Sequence, residues 1–226
     1  MTTLHVLSAG SMLHAAQECA ALASSEFPCA IDLTTDHGHN IRDRLMRGTA
    51  SADIVLIPAD MAATLDAGGL LHGVIALGTV GIGGVVRTGS MQPAIGVLEE
   101  LRAAISAADA ILLTRAPTGD HLMRVIADFG LSNAIAPKRM RFDTSTALNA
   151  HLATRSDNAL GFGPETEIRA GNGVTWIGDV PPEIQVALPY AAAIVTHTKT
   201  LDAAEAFLKF LDSAAAREKI RRSGVR

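Results

Sequence analysis

Four short turns carry the residues best suited to chemistry: Ser8-Ala9-Gly10-Ser11, Asp36-His37-Gly38-His39, Pro117-Thr118-Gly119 and Thr144-Ser145-Thr146. Each stands between an apolar run of strand character and a stretch of helical periodicity. A helix start exposes unpaired N–H groups and a partial positive charge, so small and hydroxyl residues there can receive an anion. Any one Ser or Thr in such a turn has an alternative role as an N-cap. Four together, two from each half of the chain, predict an anion-accepting cleft contacted by Ser8, Gly10, Ser11, Gly38, Thr118, Gly119, His121 and Thr146. Neither GxxxxGK[ST] nor a strand-linked GxGxxG is present, so a phosphate loop is not expected.

Of the eight histidines, His37 and His39 stand out because they flank Gly38 in a predicted junction, and His121 because it opens the helix behind Thr118-Gly119. An imidazole in a cleft can bind a carboxylate when protonated or move a proton near neutral pH. His37 and His39 are therefore the candidate catalytic residues, with solvent-facing loop positions as the alternative. Arg42 and Arg44 could reach the same cleft or lie on a solvated face. Asp36 and Asp120 would oppose an anion unless they orient a histidine or a helix start, and Glu165 and Glu167 are further candidate acids. No HExxH or GxSxG motif supports a metalloenzyme or hydrolase, and no metal or cofactor is expected, although His37-Gly38-His39 could catch an ion incidentally. Cys19 and Cys29 lack CxxC spacing and read as buried thiols.

The elements that must position these turns alternate strand and helix. Strands are expected at Leu4–Ser8, Ala30–Thr34 and Asp53–Ile57, with a helix on the Met12, Ala15, Ala16, Cys19, Ala20, Ala23 stripe and others at Asn40–Arg47 and Ala59–Ala67. A long Val/Gly/Ile segment, Thr79–Arg87, opens a second series. Its helices are expected at Val97–Ile105, Asp120–Phe129 and Thr146–Thr154, and its strands at Ala110–Thr114, Met140–Phe142 and Leu160–Gly163. Trp176-Ile177-Gly178, Pro181-Pro182 and an apolar stretch Val186–Val195 lead to two helices, Leu201–Leu211 and Ala214–Arg222. This pattern predicts an α/β fold of two lobes, residues 1–79 with 187–226 and residues 80–186, joined by two hinge crossings with a ligand cleft between them.

Composition narrows the function classes. The 226 residues are 48% hydrophobic and 19% charged, enough for a sizeable core and too apolar for a disordered chain. A net charge of -4, with basic residues clustered only at Arg217, Lys219, Arg221 and Arg222, predicts no nucleic-acid partner. No apolar run approaches the ~18 residues of a membrane span, so no membrane insertion is expected. As written, Met1 leads into a strand-like segment with no leader ahead of it, so a cytoplasmic location is expected. Removal of a leader would make the location periplasmic and bring in a permease partner.

In order and spacing, several segments resemble the ModA-like molybdate-binding components of ABC transporters, which have the type II periplasmic-binding-protein fold. These are Leu7-Ser8-Ala9-Gly10-Ser11, Ile41-Arg42-Asp43-Arg44-Leu45 with Gly48, Ala52-Asp53-Ile54-Val55, Val80-Gly81-Ile82-Gly83 with Val86-Arg87, and Leu160-Gly161-Phe162-Gly163. The resemblance covers nearly the whole chain and implies the two-lobed, two-crossing arrangement. It places the family's first oxyanion-binding serine on Ser11, the second on Gly38, and the later donors on Thr118 and Thr146. The pocket-closing tyrosine of some members falls on Pro164. Two side-chain donors are thus replaced, with imidazoles beside one of them, which argues against a dry tetrahedral oxyanion site. The segment Ile177-Gly178-Asp179-Val180-Pro181-Pro182-Glu183-Ile184-Gln185 is similar to that of a subgroup not dedicated to molybdate, which includes leaderless members and aconitate isomerase. The resemblance implies a small-anion-binding protein favouring an organic carboxylate. Alternatives are an isomerase of an unsaturated carboxylate that uses His37 or His39 as acid and base, a molybdate or tungstate binder, and a regulatory sensor.

Overall fold

The computed structural model describes residues 3–24, 27, 29–115 and 117–226. Its chain divides into two compact units, residues 1–80 with 188–226 and residues 81–187. In the first unit, β1 (Thr3–Ala9), α1 (Leu13–Ala23), β2 (Ala30–Asp36), α2 (Gly38–Met46), β3 (Ile54–Pro58), α3 (Ala59–Ala67) and β4 (Leu71–Val80) follow in order. In the second come β5 (Ile82–Arg87), α4 (Leu98–Ala107), β6 (Ala110–Thr114), α5 (Pro117–Asp128), α6 (Ser132–Ile135), β7 (Arg139–Phe142), α7 (Ser145–Ala153), β8 (Ala159–Pro164), α8 (Glu165–Ile168) and β9 (Val174–Asp179). The chain then returns to the first unit for β10 (Leu188–Val195), α9 (Leu201–Leu211) and α10 (Ala214–Arg222).

Each unit has one five-stranded mixed sheet, ordered β2-β1-β3-β10-β4 in the first and β7-β6-β8-β5-β9 in the second. Three strands run parallel in each, and the two beyond them pair antiparallel. Both sheets place fourth a strand that adjoins a crossing, β10 after Ala187 and β5 after Gly81. The sequence reading of Thr79–Arg87 as one segment is corrected here: β4 ends at Val80, and β5 begins at Ile82 in the other sheet. Residues 71–78 and 174–179 also form strands that were not anticipated. In the first, buried positions are interrupted by exposed ones and by Gly73 and Gly78 of positive φ; the second is half-buried throughout and holds Gly178, also of positive φ, so neither shows a clean two-residue period.

The central strands β3 and β6 are almost wholly apolar and buried, as parallel strands covered on both faces must be. Small side chains on α1, Ala15, Ala16, Cys19 and Ala23, are buried and let α10 approach closely. Cys19 Sγ lies 3.8 Å from the Ala216 carbonyl, and Lys219 Nζ donates to Glu18 Oε2 at 2.7 Å. Both cysteines are free and buried. At the chain end, Arg226 pairs with Thr79 through both backbone groups (2.7 and 2.9 Å). That approach requires Gly78, because a Cβ there would lie 2.5 Å from the Arg226 carbonyl oxygen. No helix among the described residues is long and apolar enough to cross a membrane.

Candidate functional site

In the first unit, the β1–α1 junction folds as a 3-10 turn over Gly10–Met12. Gly10 is exposed and Ser11 is buried within the turn. The flanking cap positions, Ala9 and Met12, make no side-chain cap, so Ser11 is not the N-cap that its type allowed. Ser8 is wholly buried; its hydroxyl donates to the Ala9 carbonyl at 2.9 Å and its own carbonyl accepts from Thr35 Oγ1 at 3.1 Å. Ser8 therefore shapes the turn from beneath.

The β2–α2 junction starts its helix at Gly38, two residues earlier than expected, with His37 at the cap position in extended backbone. His37 offers no side-chain cap. The Asp36 carboxylate instead accepts from the His37 N–H and from Asn40 Nδ2, both at 2.8 Å, and from Arg44 at 3.4 Å. Burial pushes the Asp36 carboxyl up, but the bonds from Asn40, the His37 N–H and Arg44 outweigh it and hold the group below the usual carboxylate range. Asp36 and Arg44 are thus spent on ordering the turn, and Arg42 on Asp43 at 2.9 Å. The His37 and His39 rings stack at 5.6 Å, 8° from parallel, and both residues are exposed. Their ring nitrogens stand at a helix start, where they can meet an anion or exchange a proton with it.

In the second unit, α5 starts at Pro117, three residues before the expected Asp120. Proline suits a first helical position, since its missing N–H would have been unpaired anyway. Thr118 and Gly119 therefore lie inside the first turn. Thr118 is buried, with its hydroxyl 3.5 Å from Thr114 Oγ1. Gly119 sits against the end of β6, where a Cβ would be 2.0 Å from the Thr114 carbonyl oxygen. His121 is tied down through Nε2, 2.7 Å from the Ile184 carbonyl, and Asp120 is bound by Arg141 at 2.6 Å.

At the β7–α7 junction Thr144 is the N-cap, accepting from the Ala147 N–H at 3.1 Å. Thr146 is exposed in the first turn, whereas Ser145 is buried and donates to Glu167 Oε2 at 2.6 Å. In the sequence, Ser145 is one of three hydroxyl residues in its junction and Glu167 one of several candidate acids. A cap at Thr144 turns the next residue inward, and Asn149, four positions on, shares its face; that i, i+4 polar pair was the available signal. Glu165 is buried and pairs with Arg169 at 3.0 Å. Among the described residues no group of three or more His, Cys, Asp or Glu is placed to hold a metal ion.

Residues 4–226 match the family of bacterial extracellular solute-binding proteins. A curated relative, aconitate isomerase of a Pseudomonas species, is 26% identical over 242 residues, covering 100% of this chain and 88% of that protein. The periplasmic molybdate-binding protein of Azotobacter vinelandii superposes with a TM-score of 0.79 at 15% identity, over 99% of this chain and 98% of that one. The sulfate-binding protein SubI of Mycobacterium tuberculosis H37Rv superposes with a TM-score of 0.71 at 17% identity, over 100% and 87%. The two mixed sheets, with these neighbours, have the type II periplasmic-binding-protein fold in its ModA-like form.

Proposed function

We propose that this chain, which belongs to the bacterial extracellular solute-binding protein family, binds a small organic anion with several carboxylates in preference to molybdate. Donors come from the Ser11 turn and α2 start of the first unit and from the Thr118 and Thr146 turns of the second. Gly10 and Gly38 let backbone approach the ligand, Gly119 lets the α5 turn seat against the end of β6, and His121 steadies that turn from behind. The observation that carries this reading is the β2–α2 turn, where Gly38 lacks a hydroxyl and two exposed, stacked imidazoles flank it. Donors carried on two separate rings suit an extended acid with several separate carboxylates better than one compact tetrahedral centre.

Thermal shift and calorimetry with citrate, cis- and trans-aconitate, sulfate, molybdate and tungstate test it. Stabilisation by a tricarboxylate but not by molybdate is expected, and the reverse ranking ends this reading. Ser11→Ala should weaken tricarboxylate binding by about 1–3 kcal/mol if its hydroxyl meets a charged group. Unchanged affinity removes Ser11 from the site.

A second reading, an isomerase of an unsaturated tricarboxylate, is favoured by the likeness to aconitate isomerase along the whole of this chain. Such a reaction removes a proton α to a carboxylate, shifts the double bond and returns a proton at the other allylic carbon. His37 and His39 are the candidates for both transfers. Proton NMR of cis-aconitate with the protein in deuterium oxide should show isomer conversion or deuterium entry, lost in His37→Ala with His39→Ala. Binding with no exchange over hours leaves a binding protein.

A further inference from the structure

The second unit holds a half-buried carboxylate, that of Glu167, at a helix start. Ser145 and Asn149 lie one turn apart on the same face of α7, and both are more than nine-tenths buried. Ser145 Oγ donates to Glu167 Oε2 at 2.6 Å, while Asn149 Nδ2 donates to the Ile168 carbonyl at 3.2 Å and reaches that of Glu167 at 3.5 Å. One side chain grips the carboxylate and the other grips the backbone carrying it. Holding the backbone leaves Asn149 Oδ1 buried without a partner, a cost that marks this geometry as built. Nearby, Glu165 pairs with Arg169, whose guanidinium lies 5.5 Å from the Trp176 ring centre.

We infer that Glu167 is a specificity-determining residue that keeps compact tetrahedral dianions out of the site proposed above. Its carboxylate takes the hydroxyl of the first α7 residue and lies at the helix end whose partial positive charge would otherwise attract an oxyanion. A sulfate or molybdate approaching this turn meets a fixed like charge, and it is too compact to place its charge elsewhere. A longer acid can keep its carboxylates on other donors and turn an uncharged or hydrogen-donating part toward Glu167. Ser145 and Asn149 act through Glu167 and are positioning residues.

The inference rests on the organic-anion reading, and calorimetry with sulfate, molybdate, citrate and cis-aconitate on wild type, Glu167→Gln and the double variant Ser145→Ala with Glu167→Ala separates the two. Glu167→Gln keeps the shape and an acceptor for Ser145 while removing the charge, so it should bind sulfate or molybdate about tenfold or more tighter than wild type. A purely structural clamp would move the melting temperature and leave this ranking alone. A folded Glu167→Gln with unchanged dianion affinity overturns the inference, as does a wild type that already binds sulfate as tightly as any tricarboxylate. Should Glu167→Gln fail to fold, the double variant Ser145→Ala with Glu167→Ala decides, because it removes the charge together with the hydroxyl that would be left unpaired: a gain in dianion binding supports the inference and no gain overturns it. If wild type binds no tricarboxylate but Glu167→Gln takes up sulfate, the role of Glu167 stands and the organic-anion reading falls. If wild type binds a tricarboxylate and Glu167→Gln leaves dianion binding unchanged, the organic-anion reading stands alone.

Discussion

Replacing Gly119 with alanine should destabilise the protein, although the same change inside a helix ordinarily stabilises by about 0.5–1 kcal/mol. The sign reverses because the new methyl group would stand 2.0 Å from the Thr114 carbonyl oxygen and 2.9 Å from its carbon. Restoring a normal C···O approach of about 3.3 Å requires the first turn of α5 to move from the end of β6 by roughly 1 Å. Overpacking of this kind costs about 1–3 kcal/mol, and for a chain of this size each kcal/mol moves the melting point by about 2–4 °C. A loss of roughly 2–12 °C is therefore expected by calorimetry or circular dichroism. The built-in control is Gly38→Ala, at the start of α2, where the nearest atom to the new methyl is Met61 Cε at an ordinary 3.5 Å. That variant should melt at the wild-type temperature or up to about 4 °C above it. Gly119→Ala also carries Thr118 out of place, so tricarboxylate affinity should fall about tenfold to a hundredfold, the worth of a hydrogen bond to a charged ligand. A Gly119→Ala protein as stable as Gly38→Ala, with unchanged affinity, would refute both the packing argument and the place of Thr118 in the site.

Two further outcomes follow from the titrating groups. Asp36 is held below its ordinary range in the folded state, so its contribution is present above the unfolded value near ~3.9 and is lost as pH falls through the lower folded value. Asp36→Asn should be less stable than wild type at pH 7, with the gap closing under acid in urea melts; a gap constant with pH contradicts the assignment. The Cys19 thiol is pushed up to about 11, first by burial and then by the Glu18 charge, so with Cys29→Ser in the background it should react slowly with a disulfide reagent at pH 8 and promptly in denaturant. Labelling within seconds under native conditions would contradict its burial beneath α10.

Much of the fold was legible because helical stripes and apolar strand cores survive as local patterns. The helices Ala59–Ala67, Leu201–Leu211 and Ala214–Arg222 and the strand Ala110–Thr114 occur with the bounds read from sequence. The strands Leu71–Val80 and Val174–Asp179 were illegible for the opposite reason. Partners distant in sequence, Leu188–Val195 and Ile82–Arg87, define them, and their burial follows those partners instead of a local period. At the candidate site, residue type located the turns, but type alone could not say which hydroxyl of Thr144-Ser145-Thr146 caps, which turns inward and which faces solvent. The helix start settles that, and starts are where sequence signals slip by a residue or two. His121 was legible as a site histidine and illegible as an anchor, because its acceptor, the Ile184 carbonyl, lies 63 positions away.

Some of the segments that resemble the family lie away from the four candidate turns and fasten the fold. Asp53 is buried; it accepts the His5 N–H at 2.8 Å and the Thr198 hydroxyl at 2.5 Å, while its backbone groups pair with His5 and Val195. It ties β1 and β10 at the ends of the sheet opposite the Ser11 turn. Gln185 accepts the Ile82 N–H at 2.6 Å and returns a hydrogen bond to the Ile82 carbonyl at 2.9 Å. Its side-chain amide thereby imitates a strand partner for the first residue of β5, just after the chain enters the second unit and just before it leaves. Its neighbour Ile184 anchors His121 at the start of α5. The likeness in Pro181-Pro182-Glu183-Ile184-Gln185 is thus a likeness in how the crossings are fastened and how the Thr118 turn is braced. Under the proposed function, ligand choice falls instead to Gly38 with its flanking imidazoles, where this chain departs from the oxyanion pattern, and to Ser145 with Glu167. Those are the positions at which exchange should change the ligand without changing the fold.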